Sequence, residues 1–291
     1  MIRIDAHHHV WDLSVRDQPW TADLPVLRRS FDIDELTPQL ATADIDGTVL
    51  VQTITDAAET PELLTLAVSN PVIAGVVGWV DLESPAVADA LGVLSDHPGA
   101  DVLVGIRHQV QSEPSLQWLE RPAVLRGLSA VGEAGLAYDL LVTPDQLPAA
   151  ISVARTLPDV RFILDHAGKP RISRGELEPW STLIRSLAAL PNVAVKLSGL
   201  ATEATADWTT DELQPFVDVL VDSFGPSRMM FGSDWPVSLL AADYAETVEA
   251  AAQLLEQVSV AEREAIFGLT AMTWYDLSSG HFADRATVRV D

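Results

Sequence analysis

Cysteine is absent from the 291 residues. That excludes disulfides, thiolate metal sites and a cysteine nucleophile together, and it fits a cytoplasmic home. Lysine is almost absent: of the 18 basic residues only Lys169 and Lys196 are lysines. Against them stand 42 acidic residues, for a net charge of −24. A surface this acidic argues against nucleic acid and anionic membranes as partners. No apolar run approaches the ~20 residues of a membrane span. The chain enters a strand-like segment at Met1-Ile2-Arg3-Ile4-Asp5, with no secretory pattern before it. The first apolar run ends in histidines, where an open doubly wound sheet would show a Gly-rich phosphate loop. A small-molecule substrate is the partner left. Self-association into a homo-oligomer stays open.

Apolar residues are 48% of the chain, enough for a large core. The length suits an α/β barrel of roughly 250 residues. Eight short apolar runs alternate with helical patterns: Ile2–His8, Thr48–Gln52, Ile73–Val80, Val102–His108, Leu136–Val142, Val160–His166, Val193–Ser198 and Arg228–Asp234. This order predicts parallel βα units and, with eight of them, a single-domain (β/α)8 TIM barrel over residues 1–291. Thr60-Pro61, Ser84-Pro85 and Thr143-Pro144 read as helix starts, and Thr209-x-x-Glu212 and Ser259-x-x-Glu262 as capping boxes. Glu246 to Leu255 has helical spacing. The Pro- and Trp-rich stretch Asp12–Arg29 reads as a long loop covering the barrel mouth, and Ser278–Asp291 as a tail.

Residues at the carboxyl ends of barrel strands build active sites. Five of the seven histidines end predicted strands: His7, His8, His9, His108 and His166. Asp234 ends the last one. Alternate residues of a strand share a face, so His7 and His9 point together into the barrel and His8 points to the helices. Two imidazoles at that spacing bind one metal ion or frame a substrate carbonyl. On the seventh run Ala194, Lys196 and Ser198 share the inner face, and a lysine there needs a partner or water. Arg107 and His108 face opposite ways, and Gly105 leaves room for the Arg107 guanidinium, which suits a carboxylate or carbonyl. His166, before a Gly-containing turn, is a ligand or acid–base position, and Lys169 in that turn is either free for substrate oxygens or a surface charge. Asp234 suits a general base acting on water. Trp11 and Trp235 either offer flat walls for a sugar or another ring or pack the barrel mouth. His97 and His281 read as surface or packing residues.

Five segments carry a resemblance. Asp5-Ala6-His7-His8-His9-Val10-Trp11-Asp12, Gly105-Ile106-Arg107-His108-Gln109-Val110-Gln111, Leu164-Asp165-His166-Ala167-Gly168-Lys169-Pro170, Lys196-Leu197-Ser198-Gly199 and Phe231-Gly232-Ser233-Asp234-Trp235-Pro236 resemble the amidohydrolase-2 group of the amidohydrolase superfamily. Within it they are most similar to sugar-lactone lactonases, such as the rhamnono- and fucono-lactonases. The resemblance runs from Ile2 to about Leu277. It implies a barrel hydrolase of aldonolactones, in which His7, His9 and Arg107 polarise the ring carbonyl. Asp234 takes a proton from water and passes it to the leaving oxygen, while His166 and Lys196 hold the carbonyl or oxyanion. His108, Lys169, Trp11 and Trp235 would bind substrate. Strand four ends in Arg107-His108 and strand five offers only Asp139, which counts against a two-metal site. The resemblance leaves two states open: one zinc on His7, His9, His166 and Asp234, or metal-independent hydrolysis. Two other readings stand beside it, a metal-dependent decarboxylase whose Arg107 grips a planar acid and a non-catalytic sugar-binding barrel.

Overall fold

The computed structural model describes residues 2–282. Eight parallel strands run in sequence order: β1 (Ile4–His8), β2 (Gly47–Val51), β3 (Ile73–Gly78), β4 (Leu103–His108), β5 (Ala137–Leu140), β6 (Phe162–Leu164), β7 (Val193–Leu197) and β8 (Met229–Phe231). Each of the eight apolar runs matches one strand, with β2 starting one residue before its run, at Gly47. Eight main helices follow them: α1 (Ile33–Thr42), α2 (Glu59–Ser69), α3 (Val87–Ser95), α4 (Pro122–Glu133), α5 (Leu147–Thr156), α6 (Trp180–Ala188), α7 (Thr210–Phe224) and α8 (Tyr244–Leu254). The ring closes at the carboxyl end of β8. There Asp234 N donates to His7 O at 2.8 Å and His9 N donates to Trp235 O at 2.7 Å. The Asp5 carboxylate ties the same seam by accepting from Ser233 N at 2.8 Å. This is the TIM barrel that the alternating pattern predicts.

The capping boxes at Thr209, Ser259 and Thr143 form, the last on a single 3-10 turn. Two predicted starts fall elsewhere. α2 begins before Thr60, at Glu59, and the Thr60 hydroxyl instead pairs with the Trp79 backbone at 2.8 and 3.0 Å. α3 begins at Val87, because Ser84 spends its oxygen on Ala86 N in a tight turn. The chain after Leu277 is not all tail. Ser279–Phe282 forms a 3-10 turn and buries Phe282 at the amino end of the barrel, against Gly47. Residues 283–291 lie outside the described residues.

Two apolar layers result. The outer one packs strands on helices, and the inner one fills the barrel with Ile4, Val49, Val77, Ile163, Ala194 and Met230, closed below by Tyr275, Leu277 and Phe282. The space beside Gly105 is taken by neighbouring strands: an added Cβ would lie 3.1 Å from Ala137 O and 3.3 Å from Val77 Cγ2. Gly105 therefore lets β3 and β5 approach, and the Arg107 guanidinium is not among its nearest neighbours. The Tyr275 hydroxyl donates to Asp139 at 2.7 Å, and Lys196 Nζ meets Asp139 at 2.6 Å and Asp165 at 2.9 Å. All three charged groups are fully buried.

Two measurements follow from this interior. Removing one partner from a buried ion network leaves an uncompensated charge, at about 3–5 kcal/mol. Lys196→Met should lower urea-unfolding stability by about that amount, and the added Asp139→Asn should restore part of it. His8 is buried against Thr48 Oγ1 at 2.9 Å, and burial lowers its imidazole to about 3. It is thus neutral when folded and takes up a proton on unfolding. Its contribution is complete above the ordinary imidazole range and is lost as pH falls toward about 3. Between pH 7 and about pH 5, wild type should lose about 2 kcal/mol more than His8→Gln in matched unfolding curves.

Candidate active site

Strict alternation along β1 would not give this site. Ile4 and Ala6 lie in the inner core, yet His7 also reaches the centre. The register with β2 slips between Asp5 and His8, a bulge that resets the alternation. Asp5 then faces α8, taking the Tyr244 hydroxyl at 3.1 Å, His8 faces the helical layer, and His7 and His9 converge inside. Gly232 makes this possible, since a Cβ there would sit 2.7 Å from that of His7.

A second departure follows β6. Ile163 points inward and Leu164 outward, so Asp165 is inward and His166 should point away. Instead His166, Ala167, Gly168 and Lys169 all have positive φ, from 51 to 70°. Each non-glycine residue in that left-handed turn costs roughly 1–2 kcal/mol. The turn is held by Trp180 Nε1 donating to Ala167 O at 2.7 Å and by Lys169 N donating to His166 O at 2.8 Å. It brings His166 into the barrel beside Asp165. Gly199 lets β7 approach, because a Cβ would lie 2.8 Å from His166 Nδ1.

The outcome is a convergence of donor atoms. His7 Nε2 lies 3.1 Å from His9 Nε2 and 3.6 Å from Asp234 Oδ1. Asp234 Oδ1 is 3.4 Å from His9 Nε2 and 3.9 Å from His166 Nε2. Tetrahedral donors at zinc distances stand about 3.4 Å apart, so this set could hold a metal ion. Among the described residues, His7, His166 and Asp234 form a group whose donor atoms all lie within 4.8 Å of one another. The far ring nitrogens are also engaged, as in oriented metal ligands. His9 Nδ1 is 2.7 Å from Val51 O, His166 Nδ1 is 2.9 Å from Ser198 Oγ, and His7 Nδ1 is 3.3 Å from Asp165 Oδ1 and 3.0 Å from Lys196 Nζ.

Electrostatics favours the ligand protonation states. Burial, helped by the Lys196 ammonium, holds His7 well below the usual imidazole range, and burial brings His166 down to about 4. Burial alone would raise Asp234, but His166, His9 and His7 outweigh it and keep the carboxyl below its usual range. Burial likewise pushes Asp165 up, and Lys196, His7 and Arg107 together bring it well down.

Above these atoms opens a cleft of about 260 Å³, lined by His9, His166, Asp234 and Arg107 below and by Trp20, Gln109, Gln111 and Lys169 higher up. The predicted site residues divide accordingly. His7, His9, His166, Asp234 and Arg107 come together. Arg107 is bound by Asp165 at 3.0 Å and by the carbonyl and side chain of Gln52, so its charge is already met. Lys196 is fully buried behind His7 and does not line the cleft. Lys169 lines it and pairs with Glu203 at 2.9 Å. His108 does not line it: its ring stacks on Trp118 at 4.2 Å and bonds Trp79 and Glu113. Trp11 and Trp235 are buried away from the cleft, and Trp20 lines it instead. Asp165 and Gln52 escaped the sequence reading, Asp165 because alternation allows only one residue of Asp165-His166 to face inward.

The amidohydrolase family model matches residues 4–277. An L-fucono-1,5-lactonase of Burkholderia ambifaria is 39% identical over 245 residues, 84% of this chain and 83% of its own. An L-fucono-1,5-lactonase of Burkholderia multivorans is 37% identical over 95% of this chain and 96% of its own. The crystal structure of a Burkholderia multivorans amidohydrolase with bound zinc superposes with a TM-score of 0.89, at 36% identity over 96% of this chain and all of that one. With the barrel, the inward His7 and His9, His166 and Asp234 as its frame, this chain belongs to the amidohydrolase family.

Proposed function

We propose that the protein hydrolyses a neutral sugar-acid lactone of the L-fucono-1,5-lactone type. The observation that carries this reading is the meeting of three imidazoles and the Asp234 carboxylate at the base of an open cleft. The names of the two lactonase relatives support the substrate class. So does the charge of the cleft. Arg107 and Lys169, the cations lining it, already face Asp165 and Glu203. Little positive charge is left to attract a carboxylate, whereas Gln109, Gln111 and the Lys169–Glu203 pair offer donors and acceptors to hydroxyl groups. Arg107 would grip the acid in the decarboxylase reading, and its commitment to Asp165 and Gln52 disfavours that reading.

His7, His9, His166 and Asp234 are the residues that would hold a zinc ion. Such an ion supplies a Lewis acid that polarises the ester carbonyl or acidifies a bound water. Asp234, ionised, accepts a proton from the attacking water as the C–O bond forms. It returns that proton to the ring oxygen when the acyl–oxygen bond breaks, so that lactone and water become one hydroxy acid. Arg107, held by Asp165 and Gln52 with Nη1 3.3 Å from His7 Nε2, keeps His7 in place. Lys196, out of reach of substrate, positions His7 and Asp165.

The first test is a pH-indicator assay with L-fucono-1,5-lactone and a panel of other aldonolactones. Acid release is expected with the fucono-lactone; none from any lactone rejects the reading. Asp234→Asn should fold normally by circular dichroism and lose at least about 10²-fold in kcat, the scale of a general base. Near-wild-type turnover would remove Asp234 from the chemistry. Chelation followed by metal analysis should lower activity, and zinc should restore it. Full activity in metal-free protein would assign the four residues to a metal-free mechanism.

A further inference from the structure

The loop after β1 places Trp20 in a one-turn helix, Pro19–Thr21, where its indole lines the cleft and remains 37% exposed. Its position is fixed from two sides. On the polar side, Trp20 Nε1 donates to Gln18 Oε1 at 2.8 Å, and Gln18 Nε2 donates to Thr53 Oγ1 at 2.8 Å. Thr53 Oγ1 in turn donates to the Glu59 carboxylate, which also accepts from Thr53 N at 3.0 Å and Ile54 N at 3.2 Å. The direction of this chain is determined. A carboxylate receiving backbone N–H groups accepts, so the single hydroxyl hydrogen of Thr53 goes to Glu59. The hydroxyl then takes the Gln18 amide N–H, which turns the Gln18 oxygen toward the indole. Gln18, Thr53 and Glu59 are all buried, so an unmade bond here would be expensive. Thr21 Oγ1 and Arg28 lock the turn further through Gln18 O, at 2.8 and 3.1 Å.

On the apolar side, Trp11 meets the Trp20 ring edge-on at 5.4 Å, Phe31 meets Trp11 at 5.0 Å, and Trp235 meets Phe31 at 5.5 Å. Trp235 follows Asp234 directly. A run of perpendicular rings thus joins the rim of the cleft to the residue beside the reacting carboxylate.

We propose that Trp20 is the platform on which the C–H face of the lactone ring stacks, and that Gln18, Thr53 and Glu59 form the latch that positions it. This rests on the lactone reading of the same site. Trp20 binds the ring away from the scissile bond, so its contribution is equal in ground and transition states. Trp20→Ala is expected to raise KM for L-fucono-1,5-lactone about tenfold and to leave kcat within about threefold. Gln18→Leu and Thr53→Val should raise KM in the same direction, and Thr53→Ser should stay close to wild type. A second readout needs no turnover. Acrylamide quenching of Trp20 emission, taken as the difference from Trp20→Phe in each background, should rise in Gln18→Leu and Thr53→Val but not in Thr53→Ser. Unchanged KM in Trp20→Ala, or a fall in kcat at constant KM, overturns the platform. Unchanged quenching in Gln18→Leu and Thr53→Val overturns the latch. A wild-type protein inert toward every lactone rejects the lactone reading and with it the platform, while the quenching series still decides the latch.

Discussion

Two cations and two anions buried inside the barrel hold the site together. Lys196 and Arg107 share Asp165, Lys196 also binds Asp139, and the Tyr275 hydroxyl closes the set from below. The formal charges cancel, which is what lets four ionised groups survive out of water. His7 is the group this arrangement serves. Its inner nitrogen faces Asp165 and Lys196, and its outer nitrogen faces His9 and Asp234 beneath the cleft. Remove the buried set and the histidine loses its bearing, however well the strands pair.

The histidines reach the centre through two local departures from regular strand geometry. One is the slip in register between Asp5 and His8, the other the left-handed turn from His166 to Lys169. Both sit at carboxyl ends of strands. There the backbone is released from the ladder and conformational strain can be carried by neighbours. Trp180 and Ser198 carry it for His166.

The eight strands were legible because apolar runs and their spacing follow directly from burial on both faces of a parallel sheet. His7, His9, His166 and Asp234 were legible because costly polar residues ended those runs. The role of Asp165 was hidden, since nothing in a one-dimensional period marks four successive positive φ angles. Which reading holds for Trp11 and Trp235, wall or packing, was hidden for a different reason. The loop from Asp12 to Arg29 has no period, and its path is set by pairings such as Gln18 with Thr53 that join distant parts of the chain. Lys196 was correctly placed inside the barrel, but the alternation of side chains cannot say how deep.

The plug formed by Tyr275, Leu277 and Phe282 also bears on how the protein is made. His7 belongs to the first strand, yet the hydroxyl that completes its charged foundation comes from Tyr275. During synthesis the histidine leaves the ribosome well before its support. A growing chain that has already closed most of its strands would still hold Asp139 and Lys196 without the tyrosine beneath them. The reactive centre therefore matures only after all eight strands have been made and the segment bearing Tyr275 has docked.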